Sequence, residues 1–266
     1  MKKIKLPISQ LIEHNRQAWN NQASQNCQWS RPVSAEDIEA ARRGEMYPRL
    51  TPSPIPQHWL GDLRGAKVLC LAAGGGQQAP LLAAAGAIVT VYDLSDAQLD
   101  IDRQVAERER LSLRCIQGDM SDLRNFCNEC FDLIFHPISN LYVPDVELVW
   151  RECARVLRPK GRLLASFYNP ALFIDDRDQN LAHEGLLRPK YRIPYADTQQ
   201  LDLELLAVKK SKGEALIFGH SLTSLIGGQL AAGLQLLDLI EDWQPTPRLL
   251  LEAYLPGFIA TCSQKT

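Results

Sequence analysis

Residues 67–93 read KVLCLAAGGGQQAPLLAAAGAIVTVYD, and this stretch decides the fold. Lys67–Leu71 is a short apolar run rich enough in branched residues for a buried strand. Ala72-Ala73-Gly74-Gly75-Gly76 then turns the chain into a helix expected over Gln77–Ala85, and Ile88–Tyr92 forms a second strand that ends at Asp93. Strand, glycine turn, helix, strand is the opening of a parallel βαβ unit. Glycines at such a turn let a ligand approach the backbone, and the N–H groups opening the helix are left to meet an anion. An acid closing the next strand is placed to accept hydrogen bonds from two ribose hydroxyls.

Working outward, the alternation continues. Ser95 caps a charged helix running to about Arg110, and Leu113–Gln117 and Phe131–His136 read as strands three and four. Asp145–Leu157 is an amphipathic helix stopped by Arg158-Pro159-Lys160-Gly161, and Arg162–Phe167 supplies strand five. After Asn169-Pro170, a turn, the regularity fails, and residues 171–218 suit a cap. The tail recovers, with Ser221 opening a helix over Leu222–Ala232 and strands expected at Gln235–Glu241 and Phe258–Ser263. Upstream, helices are expected over residues 8–26 and, capped by Ser34, over Ala35–Arg43, followed by a proline-rich connector. The expected organisation is an N-terminal helical and extended cover (1–64), a cofactor-binding core (65–168), a cap or substrate insertion (169–220) and the C-terminal part of the core sheet (221–266).

Several function classes are disfavoured. The net charge of −2 and the lack of a basic run argue against nucleic acid as a partner. The opening MKKIKLPISQLIEHN lacks the apolar core of a signal peptide, and the leucine-rich run Leu222–Leu239 is interrupted by Gly227, Gly228, Gly233 and Asp238. A cytoplasmic protein with no membrane partner is expected, of unspecified oligomeric state. The seven cysteines form no framework, and Cys127-x-x-Cys130 has no second pair or histidine to complete a metal site. No metal is expected.

Gly74-Gly75-Gly76-Gln77-Gln78-Ala79 alone also fits the permissive glycine pattern of dinucleotide enzymes. A nicotinamide-dependent oxidoreductase is therefore the rival enzyme, and a non-catalytic cofactor-binding regulatory protein the rival from another class. Three later features separate the readings. Gln117-Gly118-Asp119-Met120 closes strand three with an acid and an apolar residue, which suits the edge and face of adenine. Phe131-Asp132-Leu133-Ile134 begins strand four, and Arg155-Val156-Leu157-Arg158-Pro159-Lys160-Gly161 follows the next helix. A helix and two strands after strand five are what a seven-stranded sheet with a reversed last strand requires.

In this order, VLCLAAGGG, VTVYDLS, QGDM, FDLIF and RVLRPKGRLL resemble the class I S-adenosylmethionine-dependent methyltransferases over about Gly65–Tyr168. The chain is most similar to a bacterial small-molecule branch carrying AAGGGQQ and HPxSNxYVPD. NRQAWNNQA, PVSAEDIEAARRG and GHSLTSLIGGQLAAG extend the likeness over nearly the whole chain. The resemblance implies an α/β Rossmann-like methyltransferase sheet, mostly parallel, with a reversed last strand, a helical N-terminal cover and a cap insertion. It implies methyl transfer from S-adenosylmethionine to a small-molecule acceptor. By position, Gly74 and Gly76 line the methionine and ribose, Asp93 holds the ribose, and Asp119 with Met120 takes the adenine. Ala72, Gly75, Leu94 and His136 complete the expected cofactor contacts. Cys70 and Ala72 depart from the family, standing where an acid and the first glycine are usual.

Methyl transfer needs alignment and water exclusion more than covalent machinery, because the methyl group arrives activated. Where the nucleophile carries a proton, a base tuned to neutral pH helps, so His136 and His220 are the catalytic candidates and Tyr142 a shaping residue. His136 is expected within reach of the cofactor's methionine end or the acceptor. His136-Pro137-Ile138-Ser139 differs from the Asn/Asp-Pro-Pro-aromatic tetrad of enzymes that methylate base amino groups. Of the aromatics ahead of the core (Trp19, Trp29, Tyr47, Trp59), one or two are candidates to cover the sulfonium, though packing is the commoner role.

Overall fold

The computed structural model describes residues 6–25 and 27–266. In chain order, α1 (Ile8–Ser24) and α2 (Ala35–Arg42) precede β1 (Lys67–Leu71), α3 (Gln78–Ala84), β2 (Ile88–Asp93), α4 (Asp96–Glu109) and β3 (Leu113–Gln117). Then come β4 (Phe131–His136), α5 (Val146–Val156) and β5 (Leu157–Tyr168). The irregular stretch holds α6 (Gln179–His183), β6 (Tyr195–Ala196), α7 (Asp197–Gln200), α8 (Leu203–Ser211) and β7 (Phe218–Gly219). The chain closes with α9 (Gly228–Ala231), β8 (Leu234–Asp242) and β9 (Phe258–Lys265).

Seven strands form one sheet in the order β3-β2-β1-β4-β5-β9-β8. The pairs from β3 to β5 are parallel, and β9 runs antiparallel to both β5 and β8. The last strand is thus reversed, as expected, and lies between β5 and β8. Side-chain alternation explains why both faces are covered. Val68, Cys70, Leu133, Phe135 and Leu164 pack on one face with Trp59 and residues of α2 and α3. Leu69, Leu71, Ile134, Leu163 and Ala165 pack on the other with Trp150 and Cys153 of α5.

Local signals account for the helix starts. Ser34 and Asp37 form a capping box on α2, the Ser95 hydroxyl accepts from Gln98 N–H, and the Asp145 carboxylate accepts from Glu147 and Leu148 N–H. Asn169 likewise caps the short 3₁₀ turn Pro170–Phe173.

Two local expectations are corrected. The RPKG segment does not lie between helix and strand, because β5 already begins at Leu157. Phe131 pairs with Leu157 and Leu133 with Arg162, so four residues bulge within the strand, with Lys160 in the left-handed region at φ 64°. The helix after Ser221 is wound as a π-turn over Thr223–Gly227 before becoming α9.

The cap residues form a small two-stranded sheet, β6 with β7, and a separate apolar cluster. Leu11 of α1 packs in that cluster with Ala196, Leu206, Leu216 and Phe218. Asn15 locks the same junction: its amide donates to the Leu216 and Tyr142 carbonyls and accepts from Leu216 N–H at 2.8 Å. Among the described residues no helix is long and apolar enough to cross a membrane.

Candidate active site

Parallel strands bring the ends of β1, β2, β4 and β5 to one edge of the sheet, where ligands of such folds collect. At that edge the turn after β1 is held from two sides. Asp93, ending β2, accepts from Gly74 N–H at 3.0 Å through one oxygen and from Ser95 N–H at 2.9 Å through the other. Asp102, buried on α4, accepts from Gly75 N–H at 2.9 Å. Burial raises the Asp93 carboxyl above its ordinary range, against the pull of those N–H donors. Burial likewise raises Asp102, to about 7.

A cavity of about 720 Å³ opens over this turn and runs along the strand ends. Its β2–β3 end is formed by Asp93, Leu94, Gln98, Asp119 and Met120. Ala72 and Gly74 form its floor, Pro137, Ile138 and Ser139 follow β4, and Tyr168 and Phe258 mark the β5–β9 end. Leu11, Asn15 and Trp19 of α1 form part of the wall, and Trp19 meets Tyr142 edge-on at 5.2 Å between ring centroids. The residues at the floor fit a nucleoside carried on the glycine turn. A Cβ on Gly74 would lie 2.9 Å from Gln98 Cβ and 3.2 Å from Asp93 Oδ2, so the turn tolerates no side chain there. The buried Gln98 Oε1 has no protein partner.

Residues 69–165 match the family model described as a methyltransferase domain. Over 259 residues the chain is 41% identical to a Bacillus subtilis protein named uncharacterized methyltransferase YbaJ, covering 97% of this chain and all of that one. The chain belongs to this methyltransferase family. Solved structures agree on the fold. A methyltransferase from Mesorhizobium loti superposes with a TM-score of 0.60 at 19% identity, over 79% of this chain and 95% of its own. The 1,6-didemethyltoxoflavin-N1-methyltransferase of Burkholderia thailandensis, solved with its acceptor and S-adenosylhomocysteine, gives 0.59 at 16% identity, over 100% and 93%. Membership sets aside the nicotinamide and regulatory readings.

Within this methyltransferase, the expected site residues divide. Ala72, Gly74, Asp93, Leu94, Asp119, Met120 and Tyr142 all line the cavity. Asp119 is partly committed, since its Oδ1 accepts from Ser121 N–H and Oγ–H at 2.8 Å. Gly75 and Gly76 lie behind the floor: a Cβ on Gly75 would meet the Trp29 carbonyl at 2.5 Å, and one on Gly76 would meet Ile101 and Val105 of α4. Protein packing and positive φ are enough to require glycine at both positions.

The His136 side chain is not brought to the cavity. It is buried, absent from the cavity wall, and faces Trp150 of α5 edge-on at 5.9 Å. The alternation of β4 puts it on the same face as Ile134, beneath the sheet edge. Its Nδ1–H donates to the Leu71 carbonyl at 2.9 Å, and burial drives its pKa down to about 4, so it stays neutral. His220 is also off the wall: its Nε2–H donates to the Asn140 carbonyl at 3.1 Å, and burial lowers its pKa. Both histidines brace the loop after β4, through Asn140, and neither is placed as a base.

Tyr142 does reach the cavity, with burial holding its hydroxyl protonated well above the ordinary range. Of the four aromatics, Trp19 and Trp29 line the cavity, Tyr47 is exposed, and Trp59 is buried with its Nε1–H donating to Asp238. Cys70 points into the core, so no acid from β1 reaches the floor.

Sequence reasoning missed Asp102, Asn15, Arg49, Tyr168 and Arg248. Asp102 had a signal: an acid three residues from Leu99 and from Val105, on the buried stripe of α4. Tyr168, ending strand five, was findable by the strand-end rule. Arg49 and Arg248 lie in connectors with no motif, and nothing local marked them.

Proposed function

We propose that this methyltransferase passes the methyl group of S-adenosylmethionine to a small organic acceptor held between α1 and the ends of β4, β5 and β9. The observation that carries the reading is the single cavity joining Asp93 and Met120 at one end to Tyr168 and Phe258 at the other. Asp93 and Gly74 would hold the ribose and backbone side of the donor, with Met120 and Leu94 against the adenine. The bound donor supplies an electrophilic methyl group.

The chain's own residues bind, orient and exclude water. Among the described residues the cavity wall contains no histidine, lysine or cysteine. Its carboxylates, Asp93, Asp119 and Asp145, already accept hydrogen bonds from the chain, so the reading assigns proton removal to no side chain and takes the acceptor atom to be unprotonated at the working pH. Tyr142, Trp19 and Ile138 shape the space above the floor, and α1 shields it from solvent. The branch with HPxSNxYVPD, the division at residues 64, 168 and 220, and the absence of nucleic acid among substrates are part of the same reading. So is a cytoplasmic setting, supported by seven cysteines that are all free.

Calorimetry tests the donor site. S-adenosylhomocysteine should bind wild-type protein and NAD should not. Asp93→Ala should weaken the binding tenfold or more, as expected for charged hydrogen bonds of about 1.5–3 kcal/mol. Unchanged affinity in folded Asp93→Ala protein, or NAD bound in preference, overturns the assignment.

A further inference from the structure

Given that methyltransferase reading, we propose that the acceptor is a flat, largely apolar organic anion whose charge is held by Arg248. Three strand steps of about 4.8 Å separate β2 from β5, so the Tyr168 end lies roughly 14 Å from Asp93 along the edge. That end is built differently from the donor end. Tyr168 and Phe258, paired across β5 and β9, present rings 5.1 Å apart and tilted by 33°. With the aliphatic side of α1 they make walls suited to a planar, apolar body.

The cavity-lining cation at this end is Arg248. Arg248, in the connection between β8 and β9, lines the cavity beside Tyr168. Its acidic neighbour is Glu252, whose Oε2 already accepts the N–H groups of Arg248 and Leu249 at 2.7 and 3.0 Å. The guanidinium lies 3.7 Å from the other oxygen and also meets the Tyr168 side chain, so it is partly paired, and the remaining donors of its planar fork are what an anion would take. Arg49 adds a second cation nearer the glycine turn, where its backbone N–H donates to Gln78 Oε1 and its Nη1–H to the Pro52 carbonyl. The remaining acids of the wall stand elsewhere: Asp93 and Asp119 at the donor end, and Asp145 capping α5. A cationic amine would meet the like charge of Arg248 here, whereas a carboxylate on an aromatic body meets a guanidinium and aromatic walls.

The test titrates 2-naphthoate and its uncharged analogue 2-naphthamide into the full chain saturated with S-adenosylhomocysteine. Wild-type protein should bind the naphthoate at least tenfold more tightly than the amide. Arg248→Gln should reduce that preference below twofold, and Arg248→Lys should keep part of it, because charge survives without the fork. Arg248 is half exposed, but Arg248→Gln leaves the buried Glu252 without its cation, so S-adenosylhomocysteine uptake, which both variants should keep as wild type does, serves as the check that they are folded. Equal affinity for the two probes in wild type, no binding of either, or a preference that survives Arg248→Gln overturns the proposal while leaving the donor site standing. Wild-type protein that fails to bind S-adenosylhomocysteine fails the methyltransferase reading instead.

Discussion

His136 and Asp102 are both buried and ionisable, yet the fold treats them oppositely, and pH should separate them. Burial holds the His136 imidazole at about 4, below the 6.5 of an exposed histidine. Between those values the unfolded chain binds the extra proton, so this residue's contribution to stability is full above pH 6.5 and falls as the solution is acidified. The slope is at most about 1.4 kcal/mol per pH unit. Asp102 is held near 7, above the 3.8 of an exposed aspartate. In that window the folded chain binds the extra proton, so its contribution falls as pH rises and stays lost above 7. Urea unfolding at pH 5 and pH 8 should therefore show His136→Gln costing more at pH 8, and Asp102→Asn more favourable relative to wild type at pH 8. Differences that do not change with pH would mean that neither group is desolvated as its burial indicates.

At the scale of elements, the glycine turn shows how one short motif serves two ends. Gly76 has φ 71°, and an added Cβ would lie 2.9 Å from Ile101 Cγ2 and 3.1 Å from both Val105 and Pro32. Gly76→Val should therefore cost roughly 2–5 kcal/mol of stability, combining left-handed backbone strain with overpacking. Gly74 lines the cavity without positive φ, and its added Cβ would press on Gln98 Cβ at 2.9 Å and on the Asp93 carboxylate at 3.2 Å. Gly74→Ala should therefore lose more than tenfold in S-adenosylhomocysteine affinity by displacing Asp93, with a smaller fall in Tm. Thermal unfolding and calorimetry on the two variants check the division, and a larger Tm loss in Gly74→Ala would reverse it. Nearly all the core elements were legible beforehand, because strand alternation, caps and glycine turns act within a few residues. The bulge in β5 was not. Which residues of RPKG leave the ladder is set by the pairing of Phe131 and Leu133 with the partner strand.

For the molecule as a whole, the cavity depends on segments far apart in sequence. Asn15 joins α1 to the loop after β4 and to the cap through three hydrogen bonds, and it is buried. Asn15→Ala leaves the Leu216 N–H and carbonyl without their partner, at a cost of about 1–3 kcal/mol. Hydrogen exchange should accelerate over α1 and around Leu216 while β1, β4 and β5 stay protected. Uniform acceleration across the sheet would show instead that α1 unfolds only with the core.

The amino-acid sequence by itself determined the parallel α/β core, the turn at Gly74 and the acid at Asp93, because each rests on backbone conformation or a strand end that neighbouring residues dictate. Tertiary structure alone decided that α5 brings Trp150 over the face of β4 that carries His136, where desolvation keeps the imidazole neutral. It alone brought Asp102 to the glycine turn where β1 offers only Cys70. It also set Trp19, Tyr168 and Arg248 around one cavity. These are contacts across some 14 to 230 residues of chain, and no local periodicity encodes which surfaces meet.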